Sequence, residues 1–413
     1  MRILVLSSMF PPNVAGGGEI SAFNLASWLL KQGHEIGVVT AAKSQTDVLD
    51  GEMVGGMKIW RLHMPRPYPI FQQGRNVSKL LKPLWHLQDH LDPRNASMVA
   101  RVIDEFQPDF CNIHYLTGLG HGILQELGKR DIPVMYVMPD MALSCFRMSM
   151  FINNKTCETQ CTGCLLSSRY KRRGIRSVRR IGFCSPSRAN LEQNARFQPL
   201  SDYPMAHILN ANKYPLPTIE RQDSDKMRFI YVGRIESSKG VTVLLEAAEA
   251  LSRVRDFSLK IVGAGKEEAE MRDRFGHHDW IEFTGHVPLQ TAINHIAASD
   301  MLCIPSVWLE NSPGVVIQAL GMSVPVLGSR VGGIPELVQD DENGMLIEPG
   351  NVAAWRKAME IVLSEPDRVQ RYKQNAANRA QEFDQDYLGA KFLRFMEDIR
   401  EFKVDQHAAP SAR

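Results

Sequence analysis

The chain has 413 residues, which is too long for one ordinary hydrophobic core and suits two domains of roughly 200 residues each. Its 44% hydrophobic and 23% charged residues are typical of a soluble globular protein. No apolar stretch reaches 18 residues, which excludes a membrane-spanning helix, and a net charge of +2 gives no reason to expect a nucleic-acid partner.

The charge is unevenly divided between the two halves. Residues 1–205 hold 24 Lys and Arg against 16 Asp and Glu, a net +8, whereas residues 206–413 hold 24 against 30, a net −6. Much of the positive excess lies in Arg169–Arg180, with the sequence RYKRRGIRSVRR. This run is either a solvated basic helix face or a surface for anionic lipid headgroups or a phosphorylated acceptor.

The first ten residues form an apolar run that Pro11-Pro12 interrupts, and no small-residue cleavage site follows. This pattern predicts a first strand and not a signal peptide. We expect a cytoplasmic protein, either free or peripheral on the inner membrane face.

Short apolar runs alternate with helical patterns in the first half, which predicts a doubly wound α/β domain. The predicted strands are Ile3–Ser7, Glu35–Thr40, Phe110–His114, Pro133–Met138 and Ile181–Ser185, and a helix is predicted over Gly17–Gln32.

The same alternation restarts after a Pro-rich and charged stretch at residues 209–226, which is the predicted linker. The predicted strands of this half are Phe229–Gly233, Leu259–Val262, Ile281–Phe283 and Met301–Ile304, and its predicted helices include Gly240–Leu251 and Thr291–Ala298. The fold class predicted for the whole chain is therefore α/β, with two Rossmann-like doubly wound domains.

Three glycines, Gly16, Gly17 and Gly18, follow the first strand and open its helix. Such a loop lets a phosphate or a sugar approach the backbone closely. It is not the Gly-x-Gly-x-x-Gly dinucleotide motif, because the gap after Ser7 is too long for the tight turn.

Two cations, Arg234 and Lys239, follow the first strand of the second half. An Arg and a Lys fixed at a strand end stabilise negative charge that develops on a leaving group, whereas the alternative is two surface residues at a helix start. The later stretch Trp308–Glu336, WLENSPGVVIQALGMSVPVLGSRVGGIPE, places the acid Glu310 before a helix start.

Ser312-Pro313 has the chemistry of a helix N-cap followed by Pro at the first helical position. The free N–H groups of Gly314 and Val315 are then expected to face an anion.

These residues resemble the retaining glycosyltransferases of family four, whose GT-B fold sets two Rossmann-like domains across a cleft. The resemblance implies domains at residues 1–208 and 209–384, with a helix at about 385–405 crossing back onto the first. It implies catalytic roles for Glu310, Arg234 and Lys239, and a His that contacts the donor sugar, which is His114 here.

The resemblance also implies the residues that bind the nucleotide-sugar and the acceptor. The nucleotide-sugar would contact Gly16, Gly17, Gly18, Arg234, Lys239, Gly285, Gly314, Val315 and Gln318. The turn at Gly332-Gly333 is expected to be structural and to pack beneath the helix after Glu310. No cofactor is expected to be required for catalysis.

Two positions depart from the family pattern. The family's second Glu, seven residues after the first, is Gln318 here, which offers one acceptor oxygen and two donors to the ribose. The usual His-Asp pair is Pro139-Asp140, so Asp140 is expected to orient an acceptor hydroxyl while any base role at position 139 is lost.

Four cysteines, Cys145, Cys157, Cys161 and Cys164, lie within twenty residues. In a cytoplasmic chain they are either ligands of a structural zinc ion or free thiols, and an iron–sulfur cluster uses the same ligands.

Three functions remain from this reasoning. The leading one transfers a sugar from a UDP- or GDP-linked donor to a glycan or lipid-linked acceptor in cell-surface polysaccharide or glycolipid synthesis. The second is a catalytically impaired protein that holds a nucleotide-sugar, which Gln318 and Pro139 suggest. The third is a metal or redox protein built on the cysteines, which leaves Glu310 and Arg234 unexplained.

Overall fold

The computed structural model describes residues 1–14, 16–72, 77–78, 80–152, 155–222 and 224–402. The chain forms two compact units. The first consists of Met1–Met150, Glu158–Asn212 and the segment that begins at Gln385, and the second consists of Phe151–Cys157 and Lys213–Asp384. The main boundary between the units therefore follows Asn212, four residues after the predicted boundary at residue 208.

The first unit is built on an eight-stranded sheet. Its strands are β1 Arg2–Ser7, β2 Glu35–Ala41, β3 Leu49–Val54, β4 Met57–Leu62, β5 Phe110–Tyr115, β6 Val134–Val137, β9 Ile181–Ser185 and β10 Met205–His207, and a separate two-stranded sheet pairs β7 Phe151–Ile152 with β8 Lys155–Thr156. The order is β10-β9-β6-β5-β1-β2-β4-β3, and within this sheet β3 pairs antiparallel to β4 while the others pair in parallel. The sequence patterns did not predict the β3–β4 hairpin.

Apolar side chains cover both faces of this sheet, as its continuous apolar strands require. The helices of the unit are α1 Gly17–Lys31, α2 Leu81–Leu91, α3 Pro93–Phe106, α4 Ile123–Lys129, α5 Thr162–Ser177, α6 Arg188–Ala195 and α14 Gln385–Glu401. One core joins Leu6 of β1 to α3, α4 and α5, and the other joins Val5 to α1 and α14. Trp28 of α1 donates to Asp386 of α14 at 2.7 Å, so the last helix is tied to the first.

The second unit is built on a six-stranded parallel sheet with the order β13-β12-β11-β14-β15-β16. Its strands are β11 Met227–Val232, β12 Phe257–Val262, β13 Ile281–Gly285, β14 Met301–Ile304, β15 Val326–Ser329 and β16 Gly344–Ile347. Its helices are α7 Val241–Ser252, α8 Glu268–Phe275, α9 Leu289–Ala297, α10 Gly314–Gly321, α11 Ile334–Leu337, α12 Val352–Ser364 and α13 Pro366–Asn378.

Both sheets are doubly wound, which confirms the predicted fold class. The direction in which successive strands are added reverses between β1 and β5 in the first sheet and between β11 and β14 in the second. Ligands of such sheets bind at the carboxyl ends of the strands at these reversal points. The loops after β1 and β5, and after β11 and β14, are therefore the places to search for a site.

Candidate active site

Glu310 is a buried carboxylate in the loop after β14, and its side chain is held by three donors. Oε1 accepts hydrogen bonds from Lys239 Nζ at 2.6 Å, Ser306 Oγ at 2.6 Å and Trp308 Nε1 at 2.9 Å. Burial raises the pKa of Glu310, but the Lys239 ammonium and the three hydrogen bonds outweigh it and leave the pKa below its ordinary value. Glu310 is therefore an ionised and rigidly oriented group.

Glycines allow the backbone to close around this carboxylate. Gly332 has φ of 57°, and a Cβ added there would lie 2.2 Å from the carbonyl oxygen of Glu310, to which Gly333 N–H donates at 2.7 Å. Gly240, with φ of 66°, leaves no room for a Cβ beside the carbonyl of Pro305. Any side chain at Gly332 would therefore displace the Glu310 loop.

The two predicted cations have different surroundings. The Lys239 side chain is 18% exposed, pairs with Glu310 and lies 4.8 Å from the centre of the Trp308 ring. The Arg234 side chain is 61% exposed and reaches Glu236 at 3.3 Å, while Tyr231 Oη donates to the Arg234 carbonyl at 2.7 Å and fixes the loop. Arg234 thus presents an accessible guanidinium, whereas the charge of Lys239 is already balanced.

The start of α10 corrects the prediction for Ser312 and Pro313. The helix begins at Gly314, so Pro313 occupies the N-cap position, with φ of −67° and ψ of 109°. Ser312 lies one residue outside, and its buried Oγ has no hydrogen-bond partner among the residues that the structure describes. The φ of Pro313 is the value that the proline ring fixes and suits either position, and its extended ψ is what makes it the cap.

Gly314 and Val315 lie in the first turn of α10. The backbone N–H groups of a first turn have no carbonyl acceptor within their own helix. A Cβ added at Gly314 would lie 2.8 Å from Tyr214 Oη, so a tyrosine that the sequence analysis missed covers this helix start. Gln318 follows one turn later and is partly buried.

Gly285 ends β13 at the same sheet edge. Its carbonyl accepts from Gly263 N–H at 2.9 Å, and a Cβ added at Gly263 would meet the carbonyl of Gly233, directly before Arg234. The structure therefore brings Gly285, Arg234, Lys239, Glu310 and the start of α10 to the carboxyl edge of the second sheet.

In the first unit, His114 lies near the end of β5 and is 3% exposed. Burial lowers its pKa to about 3, so the imidazole is neutral at physiological pH. Within the described part of the chain, Nε2 has no hydrogen-bond partner. His114 also lines a pocket, together with residues that include Tyr115, Tyr136, Pro139 and Asp140.

Asp140 lies in the same pocket as His114. Burial raises its pKa to about 7, although the Ala142 N–H, which donates to Oδ1 at 2.7 Å, and the charge of Lys171 act in the opposite direction. The carboxyl therefore changes its charge near neutral pH.

The glycine-rich loop packs against the strand that carries His114. A Cβ added at Gly18 would lie 2.2 Å from Tyr115 Oη, so any larger residue there requires the Tyr115 ring to move. Gly16 precedes the first residue of α1, and its N–H donates to the Glu19 carboxylate at 3.0 Å. Tyr115 and Glu19 were not predicted, because a tyrosine at a strand end and an acid in a first helical turn carry no specific signal.

The basic run is not one solvated face, which corrects that interpretation. Lys171 is buried on α5 and Arg172 donates to the Phe197 carbonyl at 2.8 Å. Arg180 binds Asp131 at 2.9 Å. The exposed members are Arg169, Arg173, Arg176 and Arg179.

The four cysteines differ in exposure. Cys145 and Cys164 are buried, Cys157 is partly buried and Cys161 is exposed. The Cys164 thiol contacts those of Cys145 and Cys161. Among the described residues, no three His, Cys, Asp or Glu side chains are arranged to hold a metal ion, so the zinc site stays a prediction.

Metal analysis tests this prediction directly. If the four cysteines bind zinc, protein purified without chelator is expected to contain about one zinc ion per chain, which is lost in Cys161→Ser and Cys164→Ser. Inductively coupled plasma mass spectrometry gives the metal content, and Cys303→Ser is the control because Cys303 lies in β14 of the other unit. Metal-free protein with ordinary thermal stability identifies the cysteines as free thiols.

Two family profiles match most of this chain. Residues 15–138 match Glycosyltransferase Family 4, and residues 216–379 match Glycosyl transferases group 1. The chain belongs to glycosyltransferase family 4. In the part that the structure describes, none of the helices of this glycosyltransferase combines the length and the apolar character that a membrane crossing requires.

Sequence relatives cover most of the glycosyltransferase. An uncharacterised 42.6 kDa protein in the cps region of Klebsiella pneumoniae is 24% identical over 344 residues, which are 82% of this chain and 87% of that protein. An uncharacterised glycosyltransferase of Methanocaldococcus jannaschii is 23% identical over 389 residues, covering 88% and 90% of the two chains.

Solved structures share the GT-B fold of the family-4 glycosyltransferase. Sucrose-phosphate synthase from Thermosynechococcus elongatus superposes with a TM-score of 0.75 at 16% identity, covering 97% of this chain and 99% of that one. HepE from Anabaena in complex with UDP gives 0.67 at 16% identity, with coverages of 96% and 100%. At these identities, the likeness shows the fold alone.

Proposed function

We propose that the protein transfers a sugar from a nucleotide-sugar to a hydroxyl of a glycan or lipid-linked acceptor, with retention of the anomeric configuration. The observation that carries this proposal is the accessible Arg234 guanidinium at the sheet edge that also holds the Lys239–Glu310 pair and the start of α10. The arrangement offers an accessible positive charge at the same sheet edge as an oriented carboxylate, which suits a sugar diphosphate.

Arg234 is the group that stabilises the departing diphosphate in this proposal. Negative charge grows on the diphosphate as the glycosidic bond breaks, so a preorganised guanidinium binds the transition state more strongly than the ground state. The N–H groups of Gly314 and Val315 add partial positive charge at the start of α10. Lys239 stabilises the diphosphate less than Arg234 does, because its charge is already paired with Glu310. We assign the Glu310 carboxylate to accepting a hydrogen bond from a hydroxyl of the donor sugar.

His114 and Asp140 serve the sugar and the acceptor. Neutral His114 can bond a sugar hydroxyl through Nε2, which has no protein partner among the described residues. Ionised Asp140 orients the acceptor hydroxyl. The acceptor then attacks from the face that the diphosphate leaves, and the departing phosphate takes the acceptor's proton.

UDP-sugars are the first donors to examine, with GDP-sugars second. Structures of HepE from Anabaena were solved with UDP and with UDP-glucose, and the pneumococcal O-GlcNAc transferase GtfA was solved with UDP and GlcNAc. These complexes concern those proteins and support only the choice of donor class.

An anionic, lipid-linked acceptor is consistent with two observations. One relative is the phosphatidyl-myo-inositol mannosyltransferase of Mycobacterium leprae, which is 27% identical over 172 residues, or 41% of this chain and 46% of that protein. The exposed arginines at positions 169, 173, 176 and 179 supply positive charge for a phosphate group or for the inner membrane face.

A donor panel tests the proposal. UDP- and GDP-linked hexoses and N-acetylhexosamines are mixed with the protein, and thermal stabilisation and donor hydrolysis are measured with and without a glycan or polyprenyl-phosphate sugar acceptor. We expect one donor to raise the melting temperature and to be consumed. NMR of the product gives its anomeric configuration, and inversion overturns the retaining assignment.

Gln318 distinguishes the enzyme from a protein that only holds the donor. A neutral amide still bonds one ribose hydroxyl, and the charged acceptor is worth about 1 kcal/mol more. Gln318→Glu is therefore expected to tighten donor binding roughly tenfold or less, with turnover little changed. If the parent protein binds a donor tightly without forming product and Gln318→Glu is active, the second function is correct.

A further inference from the structure

Lys171 is a lysine whose ammonium group is buried in the interior of the first unit. It lies on α5, is 2% exposed, and donates from Nζ to the carbonyl oxygen of Ala142 at 2.5 Å. Burial lowers its pKa to about 8, while the carboxylates Asp89 and Asp140 oppose this change. The ammonium is therefore charged at neutral pH, although a buried charge is costly.

The Ala142 residue connects Lys171 to the pocket that holds His114. Its carbonyl accepts from Lys171 Nζ, and its N–H donates to Asp140 Oδ1 at 2.7 Å. A movement of Lys171 would therefore also move Ala142, and with it the N–H group that holds the Asp140 carboxylate.

Uncharged side chains hold the next carbonyls of this loop. Gln198 Nε2 donates to the Leu143 carbonyl at 2.7 Å, and Gln160 Nε2 donates to the Ser144 carbonyl at 2.6 Å. Since neutral amides serve these two carbonyls, the loop does not require a cation for its shape. The charge of Lys171 needs another explanation.

The charges around Asp140 and Lys171 supply that explanation. Glu19 raises the pKa of Asp140, and Lys171 lowers it. The other titratable groups that face Asp140 are Tyr115 and Tyr136, and the neutral His114 lines the same pocket. The titratable groups that face Lys171, besides Asp140, are Asp89, Cys145, Cys164 and three histidines, His86, His90 and His121. Burial lowers the pKa of each of the three histidines, which leaves Lys171 as a cation that favours an ionised Asp140.

We propose that Lys171 is a positioning residue of the transfer reaction, which orients the Asp140 carboxyl group and keeps it ionised to bind the acceptor hydroxyl. The proposal rests on the proposed function, in which Asp140 acts on the acceptor. Lys171 does not touch a substrate in this role and acts only through Asp140.

The pH profile of kcat/KM tests this role, using the donor and acceptor that give most product in the panel. The wild-type profile is expected to rise through a limb near pH 7, where Asp140 ionises. In Lys171→Met the limb moves up by about one pH unit, the usual effect of losing a close opposite charge, so activity at pH 7 falls roughly fivefold relative to activity at pH 9. Lys171→Gln keeps a donor for the Ala142 carbonyl and shows the same shift, which covers the case that the Met variant does not fold.

Three control variants separate charge from packing. Arg173→Met removes a charge from an exposed position of the same helix. It lowers kcat/KM by the same factor at every pH if Arg173 binds an anionic acceptor, and it leaves the limb at the wild-type pH. Gln198→Leu removes the bond to the Leu143 carbonyl without a change of charge, so it lowers kcat/KM at every pH but does not move the limb. Asp140→Asn removes the limb, and Lys171→Gln in that background causes no further pH effect.

A stability measurement gives a readout that does not need activity. The pKa of Asp140 is raised in the folded state, so its contribution to stability is complete at low pH and is lost as pH rises through about 7. Without the Lys171 charge, this loss continues to higher pH. The melting temperature of Lys171→Gln is therefore expected to fall more steeply than that of the wild type between pH 7 and 8. Part of this difference comes from Lys171 itself, because its lowered pKa of about 8 makes the wild type gain stability as pH rises through that value, and this part remains in the Asp140→Asn background. The additional steepness seen only with Asp140 present is the part that reports the Asp140 carboxyl group.

The outcomes distinguish the two proposals. If no donor and acceptor pair gives product, the proposed function fails, and the stability measurement alone decides whether Lys171 controls Asp140. If the enzyme is active and Asp140→Asn keeps the limb, Asp140 has no such role and the inference is overturned. If Asp140→Asn removes the limb but both Lys171 variants keep it at the wild-type pH, Lys171 is only a structural residue.

Discussion

Replacing Arg234 by alanine is expected to lower turnover by at least ~10²-fold, the usual loss for one preorganised charge contact at developing negative charge. The fold is expected to be unaffected, because the side chain is 61% exposed and its contact with Glu236 is a surface pair worth little stability. Turnover with the donor from the panel and the melting temperature are measured together.

Matched variants make the Arg234 result specific. Arg253→Ala removes an exposed arginine from the carboxyl end of α7 and is expected to leave turnover unchanged. Arg234→Lys keeps the charge but loses bidentate binding, so its turnover is expected to lie between those of the wild type and Arg234→Ala. Near wild-type turnover in Arg234→Ala removes this residue from the leaving-group site.

Breaking the Lys239–Glu310 pair is expected to lower both stability and turnover. Lys239→Met leaves a buried carboxylate with two neutral donors, Ser306 and Trp308, and removal of one partner of a buried pair costs roughly 3–5 kcal/mol. Glu310→Gln is expected to cost less stability, because the Lys239 side chain is 18% exposed and can turn toward water. Its turnover is nevertheless expected to fall at least ~10²-fold, because an oriented carboxylate is lost.

The double variant separates the two effects of this pair. Lys239→Met combined with Glu310→Gln removes both charges, so denaturant unfolding is expected to show a recovery of stability relative to Lys239→Met. Turnover is not expected to recover, since the carboxylate is absent. A double variant as unstable as Lys239→Met indicates that Lys239 stabilises the unit by packing on Trp308 and not by neutralising Glu310.

The sequence treats Arg234 and Lys239 as equivalent cations five residues apart, and only the structure separates them. The acid that shares the charge of Lys239 lies 71 residues further along the chain, and no local pattern shows that the two side chains meet. A substitution of Lys239 therefore changes folding as well as catalysis, whereas the Arg234 substitution does not.

Apolar runs and turn residues predicted the doubly wound class with five of the eight strands of the first sheet and four of the six strands of the second, whereas β3, β4, β10, β15 and β16 were not predicted. Strands such as β1, β5 and β14 are buried on both faces, so each one gives a short continuous apolar run. The exposed β3 alternates less clearly, and the β3–β4 hairpin was missed for that reason. The resemblance to the family added the roles of Glu310, Gln318 and His114, which spacing alone does not provide.

Predictions from residue type and sequence neighbours were wrong at two positions where the three-dimensional surroundings decided the outcome. Ser312-Pro313 has the composition of a cap and a first helical residue, yet proline itself occupies the cap position. Lys171 lies within a run of basic residues that reads as one solvated surface, yet the turn of α5 directs it into the interior.

The sequence by itself determined the fold class, the family and the strand ends at which the candidate site lies, because these depend on local periodicity and on short motifs. The tertiary structure decided the charge and exposure of the site residues: ionised Glu310, neutral His114, half-ionised Asp140 near pH 7 and accessible Arg234. These properties depend on desolvation and on charges brought together from distant parts of the chain, which only the packed fold sets.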